Sequence, residues 1–195
     1  KFQEKLIKNF HDHRFNVCKM PRQSGKSTTV VSYLLHYALF NDNVNIAILA
    51  NKASTARDLL GRLQLAYENL PKWMQQGVLI WNRGSLELEN GSKVFTSATS
   101  ASGIRGKSVN WLYIDEAAII PNTVAEDFFT SVYPTISAGE TTKTLQTSES
   151  DAALSCASTV VSKDMLSDSF TALSQENLLG ISAVWRDLKK HSDLI

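Results

Sequence analysis

Phe15-Asn16-Val17-Cys18-Lys19 runs directly into Met20-Pro21-Arg22-Gln23-Ser24-Gly25-Lys26-Ser27, and the reading of the chain turns on this stretch. Phe15–Lys19 reads as a short strand. Gly25–Phe40 reads as a helix with Val30, Val31, Leu34, Leu35 and Ala38 on one face, ended by Asn41-Asp42-Asn43. A turn that points successive backbone N–H groups inward, with a helix N-terminus behind it, is built to hold phosphate. On that reading Lys26 reaches the β- and γ-phosphates of a nucleotide and the Ser27 hydroxyl ligates Mg²⁺. The general pattern opens on Gly, where this chain has Met20, and Gly-Lys-Ser alone recurs by chance. A coincidental turn is therefore the alternative, against which the strand before and the helix after both count.

Working outward, Lys1–Phe10 has Phe2, Leu6, Ile7 and Phe10 at helical spacing. Val44–Ala50 reads as an apolar strand, and Ser54 as the N-cap of a helix to about Asn69. Trp73–Trp81 is mixed. Ser85–Glu89 and Ser92–Ser97 flank Asn90-Gly91 and predict a β-hairpin. Thr96–Gly106 reads as a Ser/Gly-rich loop, Val109–Ile114 as a strand ending in Asp115-Glu116, and Ala125–Tyr133 as a helix after Pro121-Asn122-Thr123. Alternating strands and helices predict an α/β fold with a mostly parallel sheet flanked by helices. Ligands of such sheets bind beyond the carboxyl ends of the strands, where both the loop and Asp115-Glu116 fall.

The chemistry follows from the residue types. Asp115 at a strand end can hold Mg²⁺ through water, and Glu116 can polarise the attacking water as general base. Two acids there can also simply cap the next helix. Arg22, inside the loop, can stabilise charge developing on a γ-phosphate; a salt bridge to a nearby carboxylate is the alternative. The amide of Gln3 can donate to and accept from an adenine edge at once, although a solvent-facing helical Gln is the plainer reading. Ser102-Gly103-Ile104-Arg105-Gly106 can carry Arg105 into a neighbouring subunit's site or onto a DNA phosphate, or can be an ordinary surface loop. The four tryptophans are scattered, which favours core packing over base stacking for most of them.

Size and composition bound the rest. The 195 residues suit one domain. The net charge of +1 says little about partners, although basic residues are in excess up to Lys143 and acidic residues beyond it. Two cysteines, Cys18 and Cys156, without CxxC spacing or clustered His, argue against a metal site and fit a reducing cytosol, with Cys18 a small core hydrophobe. No apolar run is long enough for a membrane helix, so no membrane partner is expected. The chain opens without Met, which suggests a fragment boundary.

Taken together, Pro21–Ser27, Asn45–Asn51, Trp81-Asn82-Arg83-Gly84-Ser85, Gly103-Ile104-Arg105-Gly106, Leu112–Glu116 and Ile120-Pro121-Asn122 resemble the large terminase subunit of tailed bacteriophages, nearest the T4-like branch, over residues 1–143. A phosphate loop without its first Gly is itself typical of that family. The resemblance implies a P-loop NTPase of the ASCE or RecA-like kind. It implies an ATPase that drives double-stranded DNA into a procapsid, with ATP and Mg²⁺ as cofactors, and a portal protein and a small terminase subunit as partners. It further implies a homo-oligomeric ring acting in the host cell cytoplasm, docked on the procapsid. Motif by motif, Gln3 would read adenine and Arg22 would be the in-chain arginine finger. Gln23, Ser24, Gly25, Lys26 and Ser27 would hold phosphate, with Ser27 and Asp115 on Mg²⁺. Glu116 would be the catalytic carboxylate, and Arg105 a finger for the adjacent subunit. A helicase, or an ATP-binding fragment without turnover, are the competing readings.

Two departures from the family stand out. No nuclease domain follows, so DNA cleavage is not expected from these residues. After Lys143 the family continues with an apolar strand ending in Ser/Thr-Thr-Pro that couples hydrolysis to movement, whereas here Thr144-Leu145-Gln146-Thr147-Ser148-Glu149-Ser150-Asp151 follows. The sequence therefore predicts that both the strand and the motif are missing. It predicts that residues 144–195 are a divergent tail, frame-shifted or unrelated, with short helices at 165–173 and 181–188. An incomplete sheet with an open edge implies marginal stability.

Overall fold

The structure is a computed structural model and describes residues 2–21, 23–99, 104, 106–120, 124, 127–128, 131–132 and 142–148. The chain runs α1 (Phe2–Asp12), β1 (Phe15–Lys19), α2 (Lys26–Phe40), β2 (Asn45–Ala50), α3 (Ala53–Glu68), β3 (Val78–Trp81), β4 (Ser85–Leu88), β5 (Lys93–Ala98), β6 (Trp111–Asp115) and β7 (Lys143–Ser148). Short 3₁₀ turns lie at Lys72–Met74 and Ala117–Ile119. The strands form one sheet in the order β1-β7-β6-β2-β5-β4-β3. β1, β7, β6, β2 and β5 are mutually parallel, while β4 and β3 add antiparallel at one edge.

The helices form for the reasons the pattern gives. α2 buries Val30, Leu34 and Ala38 completely, at helical spacing, against the sheet. Each large apolar side chain so buried contributes roughly 1.5–3 kcal/mol. Asn90, in the β4–β5 turn, donates through Nδ2 to the carbonyls of Ala38 and Asn41 at 2.8 and 3.1 Å. The hairpin thereby satisfies the orphan carbonyls at the end of α2, and Gly91 takes the left-handed φ of 79° that the turn needs. Lys52, not the expected Ser54, is the N-cap of α3, which starts at Ala53 without a side-chain capping bond.

One face of the sheet carries the core shared with α1, α2 and α3, including Phe10, Leu34, Leu63, Trp111, Tyr113 and Leu145. The other carries Ala47, Leu49, Leu112 and Ile114 under Ile104, Val109, Phe128 and Val132. Of the expected Ala125–Tyr133 helix, Asp127, Phe128, Ser131 and Val132 are helical and the remainder lies outside the described residues. The helices expected at 165–173 and 181–188 lie wholly outside them.

β7 corrects the expectation of a missing strand. Lys143–Ser148 pairs with β1 on one side and β6 on the other, so it lies inside the sheet. Its sequence reads as too polar for a central strand, yet Leu145 and Thr147 are fully buried and Thr144 and Gln146 nearly so. The backbone edges of β1 and β6 supply partners on both sides. The start of the strand is held by the Thr144 N–H donating to the Arg14 carbonyl at 2.8 Å and the Arg14 guanidinium donating to the Thr142 carbonyl at 2.9 Å. With the strand in place, a gap in the sheet is no longer a reason to expect marginal stability. The tryptophans also depart from expectation: Trp111 is core, but Trp73 and Trp81 are 81% and 42% exposed.

Candidate nucleotide site

The loop read as phosphate-binding follows β1 at the carboxyl end of the parallel strands. Gln23 and Gly25 both take left-handed φ, 60° and 78°. Residues of this kind turn successive N–H groups toward one point and make an anion-binding concavity. Ser24 fastens the loop by donating through Oγ to the Pro21 carbonyl at 2.8 Å. Gly25 is the N-cap of α2, and its carbonyl accepts from both the N–H and the hydroxyl of Thr29, each at 3.0 Å. No side chain caps α2, so the positive end of its dipole is left for a ligand. Met20, where the general pattern has Gly, is a buried core residue.

Lys26, at the first position of α2, is buried and places Nζ 3.8 Å from Oδ1 of Asp115 at the end of β6. The loop and the acidic strand end, far apart in sequence, therefore share one site. Asp115 Oδ1 also accepts from the Tyr113 hydroxyl at 2.9 Å and from the Thr147 hydroxyl at 2.8 Å. Burial, then the Asp115 charge, push the Tyr113 phenol well above its ordinary value. Sequence reasoning missed both hydroxyls. Tyr113 could have been found from the two-residue period, which puts it on the face of Asp115. Thr147 needed β7 to be seen as a strand.

Glu116 follows in the left-handed region, at φ 54° and ψ 43°. That conformation costs a non-glycine residue about 1–2 kcal/mol. Glu116 stands at the N-cap of the Ala117–Ile119 turn but makes no side-chain capping bond, so the plain capping role does not account for it. Ser27 is half-buried in the first turn of α2. Gln3, exposed near the start of α1, brings Nε2 over Gly25. Arg22 and Arg105 lie outside the described residues. Cys18 packs against the core beneath the loop, and burial raises its thiol to about 12, only partly opposed by the Lys26 charge.

A family model described as terminase large subunit, T4likevirus-type, N-terminal, matches residues 17–174. The chain belongs to this family. The match continues well past Lys143, the limit of the resemblance read from sequence. Among solved structures, the HK97 bacteriophage large terminase superposes with a TM-score of 0.63 at 19% identity, covering 75% of this chain and 32% of that one. A mutant of the Thermus phage P74-26 large terminase ATPase domain gives 0.63 at 20% identity, over 76% and 64%. The large terminase of another thermophilic bacteriophage, in complex with ADP, gives 0.57 at 14%, over 76% and 38%. At these identities the likeness is one of fold. The chain thus spans about a third of the HK97 terminase and less than two thirds of the P74-26 domain. Among the described residues, no helix is long and apolar enough to cross a membrane.

Proposed function

We propose that this chain is the ATP-hydrolysing part of a viral DNA-packaging motor. The observation that carries the reading is the meeting of Lys26 and Asp115 at 3.8 Å, beside a left-handed phosphate loop at the carboxyl end of a parallel sheet. Backbone N–H groups of Gln23–Lys26 hold the phosphates, and Lys26 leaves Asp115 to meet the β- and γ-oxygens. Ser27 and Asp115 would hold Mg²⁺, which neutralises developing phosphate charge when bound. The donor set fits: a hydroxyl and a carboxylate, hard oxygen ligands of the kind Mg²⁺ takes. Glu116 orients and deprotonates the attacking water. The position of Gln3 over Gly25 supports its reading adenine, while Arg22 as in-chain finger and Arg105 as finger for an adjacent subunit rest on the sequence pattern.

Family membership favours DNA packaging over unwinding. The partners are then double-stranded DNA, the portal and the small subunit, in a ring docked on the procapsid in the host cytoplasm. A fragment that binds ATP without turnover is the competing reading, because β7 ends in Thr147-Ser148, followed by Glu149, rather than in the family's Ser/Thr-Thr-Pro. The test is phosphate release from ATP, with and without double-stranded DNA, for the parent and Lys26→Ala. Hydrolysis in the parent and its loss, together with ATP binding, in the variant is expected. Equal hydrolysis by both overturns the site, and duplex unwinding by the parent overturns the packaging role.

A further inference from the structure

Two buried hydroxyls converge on the acidic residue that the proposed site needs most. Tyr113 and Asp115 share one face of β6, and Thr147 lies beside them on β7, whose register pairs Tyr113 with Leu145 and Ile114 with Gln146. Tyr113 and Thr147 are both fully buried and Asp115 is 6% exposed. Both hydroxyls donate to Oδ1, at 2.9 and 2.8 Å, and their oxygens approach to 3.3 Å. Lys26 Nζ also faces Oδ1. Among the described residues, Oδ2 of Asp115 has no such contact. A carboxylate held by one oxygen through two such bonds cannot turn freely, so its second oxygen has a fixed direction.

We propose that Tyr113 and Thr147 are positioning residues that lock Oδ1 of Asp115 and so present Oδ2 to the divalent cation of a bound Mg²⁺–ATP complex. This inference rests on the ATPase reading above. A buried carboxylate needs donors for stability alone, so the distinguishing property is metal dependence. Groups that orient a metal ligand typically change metal affinity roughly 10- to 100-fold when removed. Tyr113→Phe removes the hydroxyl alone, and Thr147→Val replaces it with a methyl group of similar size, so both keep the core filled.

The test measures binding of a fluorescent ATP analogue to the full chain in EDTA and across a Mg²⁺ titration. Tyr113→Phe and Thr147→Val should keep the affinity seen in EDTA and raise the Mg²⁺ concentration at the midpoint roughly 10-fold or more, while Thr147→Ser stays near the parent. An unchanged midpoint in both variants, even with a lowered melting temperature, overturns the inference and leaves ATP binding intact. Absence of analogue binding by the parent overturns the ATPase reading, and this inference with it. If Tyr113→Phe does not fold, the Thr147→Val and Thr147→Ser pair gives the same decision.

Discussion

Gln3 stands over Gly25: its Nε2 lies 2.7 Å from the point that a β-carbon on Gly25 would occupy. Gly25 also holds φ at 78°. Gly25→Ala therefore meets a left-handed backbone that costs about 1–2 kcal/mol for a residue with a side chain, while the exposed end of Gln3 can swing aside at little cost. We expect Gly25→Ala to lose most ATP binding and to lower the unfolding midpoint. Adding Gln3→Ala should recover neither the stability nor the binding. Full recovery of both would show that the overlap alone mattered and that the loop tolerates a different backbone.

Glu116 has no capping partner and keeps a strained backbone at the mouth of the site. Glu116→Gln should reduce hydrolysis on the order of 10²–10⁴-fold, the range for a lost general base, while ATP binding is kept. Parallel measurements of phosphate release and nucleotide affinity check this. Unchanged release removes Glu116 from the mechanism.

β7 makes the stability of the sheet depend on residues that look like a tail. Leu145 is fully buried in the core shared with the helices. Leu145→Ala should cost about 2–5 kcal/mol, read as a lower urea midpoint. Gln146 is buried with an Oε1 that lacks a hydrogen-bond partner among the described residues. Removing such a group by Gln146→Leu should stabilise by about 1 kcal/mol. Midpoints unmoved by either change would mean that β7 is not part of the folded sheet.

Cys18 gives a pH signature. Its thiol is raised by burial from an ordinary 9.0 to about 12. The folded state keeps the proton over a range where the unfolded chain has lost it, so stability is fully present below pH 9.0 and is lost as pH rises from there toward about 12. In a Cys156→Ser background, Cys18 should resist alkylation at pH 9 until denaturant is added, and Cys18→Ala should flatten the alkaline decline. Rapid alkylation of the native protein would contradict the raised thiol of this partly buried residue.

Much was legible in the chain. Phe15–Lys19 is a strand at the expected residues, and the Asn90-Gly91 hairpin and the Asp115 strand end are where short-range patterns put them. β3 was illegible because Leu79, Ile80 and Trp81 are exposed at an edge and show no alternation toward the core. β7 was illegible because parallel strands covered on both faces normally read as apolar runs, and Lys143-Thr144-Leu145-Gln146-Thr147-Ser148 does not.

By itself the sequence determined the local devices: the turn after β1, the helix behind it, the acidic strand end and the hairpin turn that needs glycine. Each depends on residues a few positions apart, whose backbone geometry follows from their own sterics and hydrogen bonding. Only the tertiary structure decided that Thr147 donates to Asp115 across 32 residues, that Lys26 meets the same oxygen, and that Gln3 covers Gly25. The physical reason is the gap between β1 and β6. Two parallel strand edges with unpaired N–H and C=O groups draw in a polar segment that has no strand signature, because backbone pairing there outweighs the preferences of its side chains.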